Sequence, residues 1–204
     1  MIDKKCRLCR REGIKLFLKG DRCFSPKCPL DRKGAVPPGT HSTKRRRGRL
    51  SDFGRQLREK QKLRRLYHLG ERQFKNYFFK AKKSKGETTD FLLSLLESRL
   101  DNTIYRLGFA PSRLAARQLV SHGLVLVDGQ KLDIPSCLVK PGQTISLAPS
   151  ALKISLVEDS LGKKEVLPEW LERKATVGRV KHLPRGGEVD INLNLQAVVE
   201  YYSR

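Results

Sequence analysis

The chain has 204 residues, enough for one large domain or two small ones with cores of their own. Hydrophobic content is 38%, charged content 31% and formal net charge +22; residues 1–85 hold 28 Lys and Arg against 7 Asp and Glu, the remainder 15 against 14. Such a one-sided field implies a polyanionic partner, nucleic acid first and an anionic membrane surface second, while no stretch approaches the roughly 20 apolar residues that span a bilayer.

The N-terminus, MIDKKCRLC, lacks the apolar centre of a signal peptide, so a cytoplasmic location is expected. Disulfides are rare there and clustered cysteines usually bind metal. The spacing Cys6-x2-Cys9-x13-Cys23-x4-Cys28 suits tetrahedral coordination of one structural Zn²⁺ by four thiolates. Gly13 and the Lys19-Gly20-Asp21 turn let the intervening residues form a short hairpin, and Pro26 and Pro29 stiffen the second pair. An iron–sulfur cluster is the chemical alternative. A thioredoxin-like redox pair is not expected, because nothing upstream of Cys6 could form the strand that it needs. A four-thiolate site leaves no open position for activating water. The fifth cysteine, Cys137, fits a reducing compartment.

Residues 30–50, LDRKGAVPPGTHSTKRRRGRL, cannot pack a core. They read either as a charged linker or as an arm that follows phosphates with Lys44, Arg45, Arg46, Arg47 and Arg49. Ser51 then caps a helix bearing Phe53, Leu57, Leu63, Leu66 and Tyr67, and Gly70 separates it from a second carrying Phe74, Tyr77, Phe78 and Ala81. Arg55, Arg58, Lys60, Lys62, Arg64 and Arg65 stand between the apolar positions as candidate RNA contacts, with Arg72, Lys75, Lys80 and Lys82 following on the second helix.

An apolar helix starts at Thr88-Thr89-Asp90, runs through Leu100 and continues to Gly108. Ser112 caps the next helix and Gly123 closes it as the C′ residue. LVLVDGQKLDI is a hairpin turning at Asp128-Gly129, and Pro141-Gly142 precedes a further strand, Thr144 to Leu147. On this unit Arg99, Arg113, Arg117, Gln118, His122 and Lys131 are candidate RNA contacts, Arg113 and Arg117 sharing a helix face. Farther on, Pro168 opens a possible helix in LPEWLERK with Trp170 in the core, and the apolar end docks back. The fold class is α+β and mostly helical: a zinc module and basic arm (1–45), a basic helical domain (46–92, with 190–204 packing back), a helix–turn–helix plus β-hairpin RNA-binding module (93–155) and its extension (156–189).

Four long segments carry a family resemblance: CRLCRREG with KLFLKGDRC, LSDFGRQLREKQKLRRLY, LLESRLDNTIYRLGFAPSRLAARQLVSHG with LVDGQKLDIPS, and VVEYYSR. Over nearly its whole length the chain resembles bacterial ribosomal protein four of the small subunit, in its zinc-bearing form. The resemblance implies a structural constituent of that subunit rather than an enzyme. It further implies a primary 16S ribosomal RNA binder that starts assembly, lies beside ribosomal protein five near the messenger RNA entry channel and influences decoding accuracy. By position it assigns Arg113, Arg117, Gln118, His122 and Lys131 to the module's RNA surface, and Arg45, Arg46, Arg47 and Arg49 to the arm near the messenger. The competing reading is an RNA-modifying enzyme, since Arg99-Leu100-Asp101 resembles the catalytic tripeptide of pseudouridine synthases that use the same module. The remaining chain is too short and too basic for their catalytic domain.

Overall fold

The computed structural model describes residues 5–39, 50–163, 166–185, 188–189 and 193–203. They fall into two units, residues 1–74 with 192–204 and residues 75–191, the division lying between Phe74 and Lys75. The fold is mixed: helices plus one small antiparallel sheet.

In the first unit, α1 (Lys5–Glu12) places Cys6 and Cys9 three residues apart, hence on one face. A 3-10 turn (Gly20–Cys23) and α2 (Pro29–Lys33, proline at its start) carry the chain past Cys23 and Cys28. This corrects the expected hairpin: no strand lies between Cys9 and Cys23. Leu16 and Leu18, 1% and 3% exposed, anchor the connection. Ser51 caps α3 (Asp52–Leu66), its Oγ accepting from Gly54 N–H. Against α3 lies α10 (Leu195–Ser203), where Val198 is fully buried and Gln56 donates to Glu200 at 2.8 Å. Tyr67 and Leu63 are buried as expected, whereas Phe53 stays 49% exposed with its ring 5.7 Å from that of Tyr201. α4 (Glu71–Lys83) follows the Gly70 break.

The second unit packs helices on the sheet. α5 (Thr88–Glu97) and α6 (Leu100–Arg106) are separate helices rather than one. Residues 135–139 explain the break: Val139 N–H donates to Ser98 O, Leu100 N–H to Cys137 O and Asp101 N–H to Pro135 O. These bonds satisfy the backbone groups that helix ends leave open. α7 (Arg113–Ser121) begins at Ser112, whose Oγ accepts from Ala115 N–H. β1 (Val125–Val127) turns through Asp128 and Gly129, both at positive φ (50° and 80°), into β2 (Gln130–Lys131). Two consecutive positive φ values are the primed turn that suits strand twist. β3 (Thr144–Leu147) pairs with β1 in the register Val125 with Leu147 and Val127 with Ile145.

After α8 (Pro149–Leu152) and α9 (Ser155–Leu161) the structure departs from expectation. LPEWLERK is not a helix: β4 (Leu171–Lys174) and β5 (Val177–Val180) extend the sheet to the order β2-β1-β3-β5-β4. Trp170 is fully buried, as expected, and Lys181 N–H donates to its carbonyl. β5 lies flush on the end of α6, because a Cβ added at Gly178 would stand 2.5 Å from Leu107 Cδ1. We expect Gly178→Val to lower stability by about 1–3 kcal/mol through overpacking, read as a lower urea midpoint at unchanged slope.

Candidate nucleic-acid interface

In the second unit, the C-terminal end of α7 gathers three expected contacts. Gln118 and His122 are exposed and four residues apart, one turn of the helix. Gly123 follows at φ +66°, and a Cβ built there would lie 2.0 Å from Lys131 Cε and 2.8 Å from its Nζ. The Lys131 side chain therefore lies across Gly123, its ammonium beside the helix C-terminus, where a cation is favoured. Arg117 is half-buried one turn before Ser121. The result is a polar, cationic edge displayed by helix and hairpin together.

Arg113 and Arg99 point elsewhere. Arg113 Nε donates to Asn102 Oδ1 at 2.7 Å, its guanidinium lies 4.6 Å from the Tyr105 ring centroid, and Nη2 is 3.8 Å from Glu97. Glu97 is fully buried and also takes Arg106 at 2.8 and 2.9 Å and Asn102 Nδ2 at 2.8 Å. Arg99, fully buried, forks onto Asp101 at 2.9 and 2.6 Å and donates to the Tyr77 hydroxyl at 2.7 Å. Burial alone would lower the Arg99 pKa, but the Asp101 carboxylate and Tyr77 outweigh it and the pKa is raised. A buried guanidinium with its donors engaged is not a phosphate contact, which corrects the expectation for Arg99. Asp101, 4% exposed and paired, is a structural carboxylate rather than a nucleophile.

In the first unit the α3 cations are held by acids. Arg58 and Arg65 both donate to Glu12 Oε1, the former at 3.2 Å, and the Glu12 side chain is fully buried between them. Burial lowers the Arg65 pKa despite the adjacent Glu12. Lys60 is 3% exposed, bonded to Glu71 at 2.5 Å and 4.7 Å from the Tyr201 ring centroid, so it too is corrected from RNA contact to internal clamp. Lys62 pairs with Glu59 at 2.6 Å, Arg64 Nε donates to Gln61 at 3.1 Å and lies 3.5 Å from Glu71, and Arg55 pairs with Asp52 on the exposed side. Arg45, Arg46, Arg47 and Arg49 lie outside the described residues. Arg72 in this unit and Lys75, Lys80 and Lys82 in the other are exposed, as their positions between the apolar residues imply, and Lys83, not among the expected contacts, is exposed beside them. Their signal was the helical period itself, since they avoid the positions of Phe74, Tyr77, Phe78 and Ala81.

Cys6, Cys9, Cys23 and Cys28 line one pocket of about 20 Å³ with Leu18, Lys19, Arg22 and Pro29. None of the four is in a disulfide. Burial pushes the Cys9 thiol up; a backbone hydrogen bond at Leu16 opposes this, while the neighbouring Cys23, Cys6 and Cys28 add to it. Lys19 N–H donates to Cys23 Sγ at 3.4 Å. The donor set fits a soft divalent ion in its chemistry. Among the described residues, however, no three His, Cys, Asp or Glu side chains form a group with metal-holding geometry.

The model for the ribosomal protein S4/S9 N-terminal domain matches residues 1–97, and that for the S4 domain matches residues 98–145. The two matches define a ribosomal protein bearing an S4 module. Small ribosomal subunit protein uS4 of Thermodesulfovibrio yellowstonii is 51% identical over 203 residues, covering 98% of this chain and 96% of that protein. Its namesake from Thermus thermophilus is 49% identical over 207 residues, covering 100% and 98%. Protein uS4A of Nitrosomonas europaea is likewise 49% identical over 207 residues. The chain belongs to the uS4 family of small ribosomal subunit proteins, structural constituents and not enzymes.

Removing the Glu97 charge as Glu97→Gln should destabilise the second unit by about 3 kcal/mol, because Arg106 and Arg113 are left poorly compensated; chemical denaturation measures it. At Glu71, burial acts to raise the carboxyl, but hydrogen bonds from Lys60 and Tyr202 prevail and hold it below its ordinary 4.5. A depressed carboxylate stabilises the fold above its unfolded value and loses that contribution as pH falls through the folded one. The stability gap between wild type and Glu71→Gln should therefore be full above pH 4.5 and shrink below it, as followed by urea titrations across pH.

Proposed function

We propose that this chain is a primary binder of 16S ribosomal RNA that starts assembly of the small-subunit body in the cytoplasm and influences translational accuracy. The observation that carries the reading is the edge of half-buried Arg117 with exposed Gln118, His122 and Lys131, where the Lys131 side chain lies across Gly123. It belongs to a chain with a net charge of +22. Phosphate contacts supply affinity, while the shape of the α7 and hairpin edge selects a junction or exposed minor groove. Arg45, Arg46, Arg47 and Arg49 complete the interface near messenger RNA, with ribosomal protein five of the small subunit as the neighbouring protein.

Zn²⁺ is the proposed structural cofactor, held by Cys6, Cys9, Cys23 and Cys28. The support is the donor chemistry: four thiols on one pocket, in a segment with little apolar core of its own. When bound, the ion supplies folding energy to this segment. The backbone N–H of Lys19 donates to Cys23 Sγ and would orient that sulfur toward such an ion.

Footprinting on 16S ribosomal RNA, with and without a zinc chelator, tests both readings. Binding that engages 6–10 phosphates should weaken by about 10³–10⁵ between 50 and 200 mM salt. Lys131→Ala should weaken binding and lower the salt slope by about one unit. Cys9→Ser should lose zinc, unfold the first segment and weaken RNA binding; a variant with wild-type zinc content and affinity refutes the cofactor.

A further inference from the structure

Between the second and third cysteines, and just past the third, the chain presents a feature that neither metal nor core requires. Phe17 and Phe24 stack with ring centroids 5.0 Å apart and planes inclined by 24°. Phe24 is 70% exposed, a larger share than any described bulky hydrophobic side chain except Val166. Phe17 sits at φ +50°. That is strained backbone for a bulky L-residue, and such strain is kept where the surroundings over-determine it, often at binding sites. Its neighbours Leu16 and Leu18 are buried, as is Cys23 beside Phe24, so the interior of this segment is already filled. The two rings occupy the outer face.

The charge around them indicates what covers that face. Lys19, Arg22 and Lys27 are exposed on the same segment, and none of their side chains joins an ion pair among the described residues. Asp21 is the acidic residue among them. An apolar protein patch would have to bury these cations, of which Lys19 and Arg22 also border the cysteine pocket. An unpaired nucleotide satisfies both demands, its base stacking on an aromatic face and its phosphates meeting the cations. We infer that Phe24, backed by Phe17, is a stacking platform for one extruded base of the ribosomal RNA, with Lys19, Arg22 and Lys27 holding the flanking phosphates. The inference rests on the RNA-binding reading above and adds to it a site distinct from the α7 and hairpin edge.

The test uses the full-length chain and intact 16S ribosomal RNA. Phe24→Ala should bind about 10-fold more weakly, and Phe24→Leu should share that loss, since leucine keeps apolar area without a stacking face. Phe24→Trp should retain affinity, and its added fluorescence should be quenched on binding. Far-UV circular dichroism and zinc content report folding, and if the alanine variant fails to fold, the tryptophan quench alone decides. Wild-type affinity in Phe24→Ala or Phe24→Leu, or unquenched added fluorescence in Phe24→Trp, overturns the platform. So does unchanged RNA affinity combined with failed incorporation into reconstituted subunits, which would assign the rings to a neighbouring protein. Wild-type protein that does not prefer 16S ribosomal RNA to an unrelated RNA of equal length would instead overturn the function on which the inference rests.

Discussion

A carboxylate holding more than one cation is the interaction on which this structure depends. Glu97 accepts Arg106 through both oxygens and lies within 3.8 Å of Arg113. Glu12 takes Arg58 and Arg65 on Oε1 alone in the other unit, and the half-exposed Glu71 pairs with Lys60 and Arg64. With 43 basic residues against 21 acidic, one-to-one pairing is impossible. A carboxylate offers about four acceptor sites and a guanidinium five donors, so one acid can position two arginines. Each such cluster remains net positive. The acids thus fix the cations in place without cancelling the field that attracts a polyanion.

Fixing a cation before it meets RNA has a direct effect on affinity. A free lysine or arginine loses about 2 kcal/mol of rotamer freedom when immobilised, and any part of that loss already incurred in the folded protein is not charged again on binding. Outside the buried clusters, the exposed Lys131 stem lies across the hydrogen-only side of Gly123. Arg113 shows the limit of the principle. Its hydrogen bond to Asn102 and its seat on Tyr105 orient α6 and α7 toward one another.

The parts legible from sequence were those set by local rules. Ser51 and Ser112 cap their helices, Gly123 ends α7, and Asp128-Gly129 turns the hairpin, because each depends on only a few neighbouring residues. Long-range partners were not legible. The break at Ser98-Arg99 depends on bonds to residues 135–139. β4, an edge strand reading Leu-Glu-Arg-Lys, has no alternation to reveal it until β5 pairs beside it. The inward turn of Arg99 and Lys60 was hidden for the same reason: cations spaced along a helix look alike until the acid that captures them is placed. Helical period separated the apolar face from the rest, but it did not separate buried cations from exposed ones.

The two ends of α1 connect these observations. Cys6 and Cys9 face the cysteine pocket, and Glu12, at the C-terminal end of the same helix, receives Arg58 and Arg65 of α3. An acid at a helix C-terminus is disfavoured by the helix dipole, so Glu12 is held there by its two arginines and not by its own helix. The proposed zinc ion would act at the other end, tying α1 to the turn that bears Cys23. With such an ion bound, the helix that carries Glu12 would be ordered together with the cysteine segment. A metal chelated from the four thiols would loosen the seat of Arg58 and Arg65 without contacting either, and the basic surface would lose definition while keeping its charge.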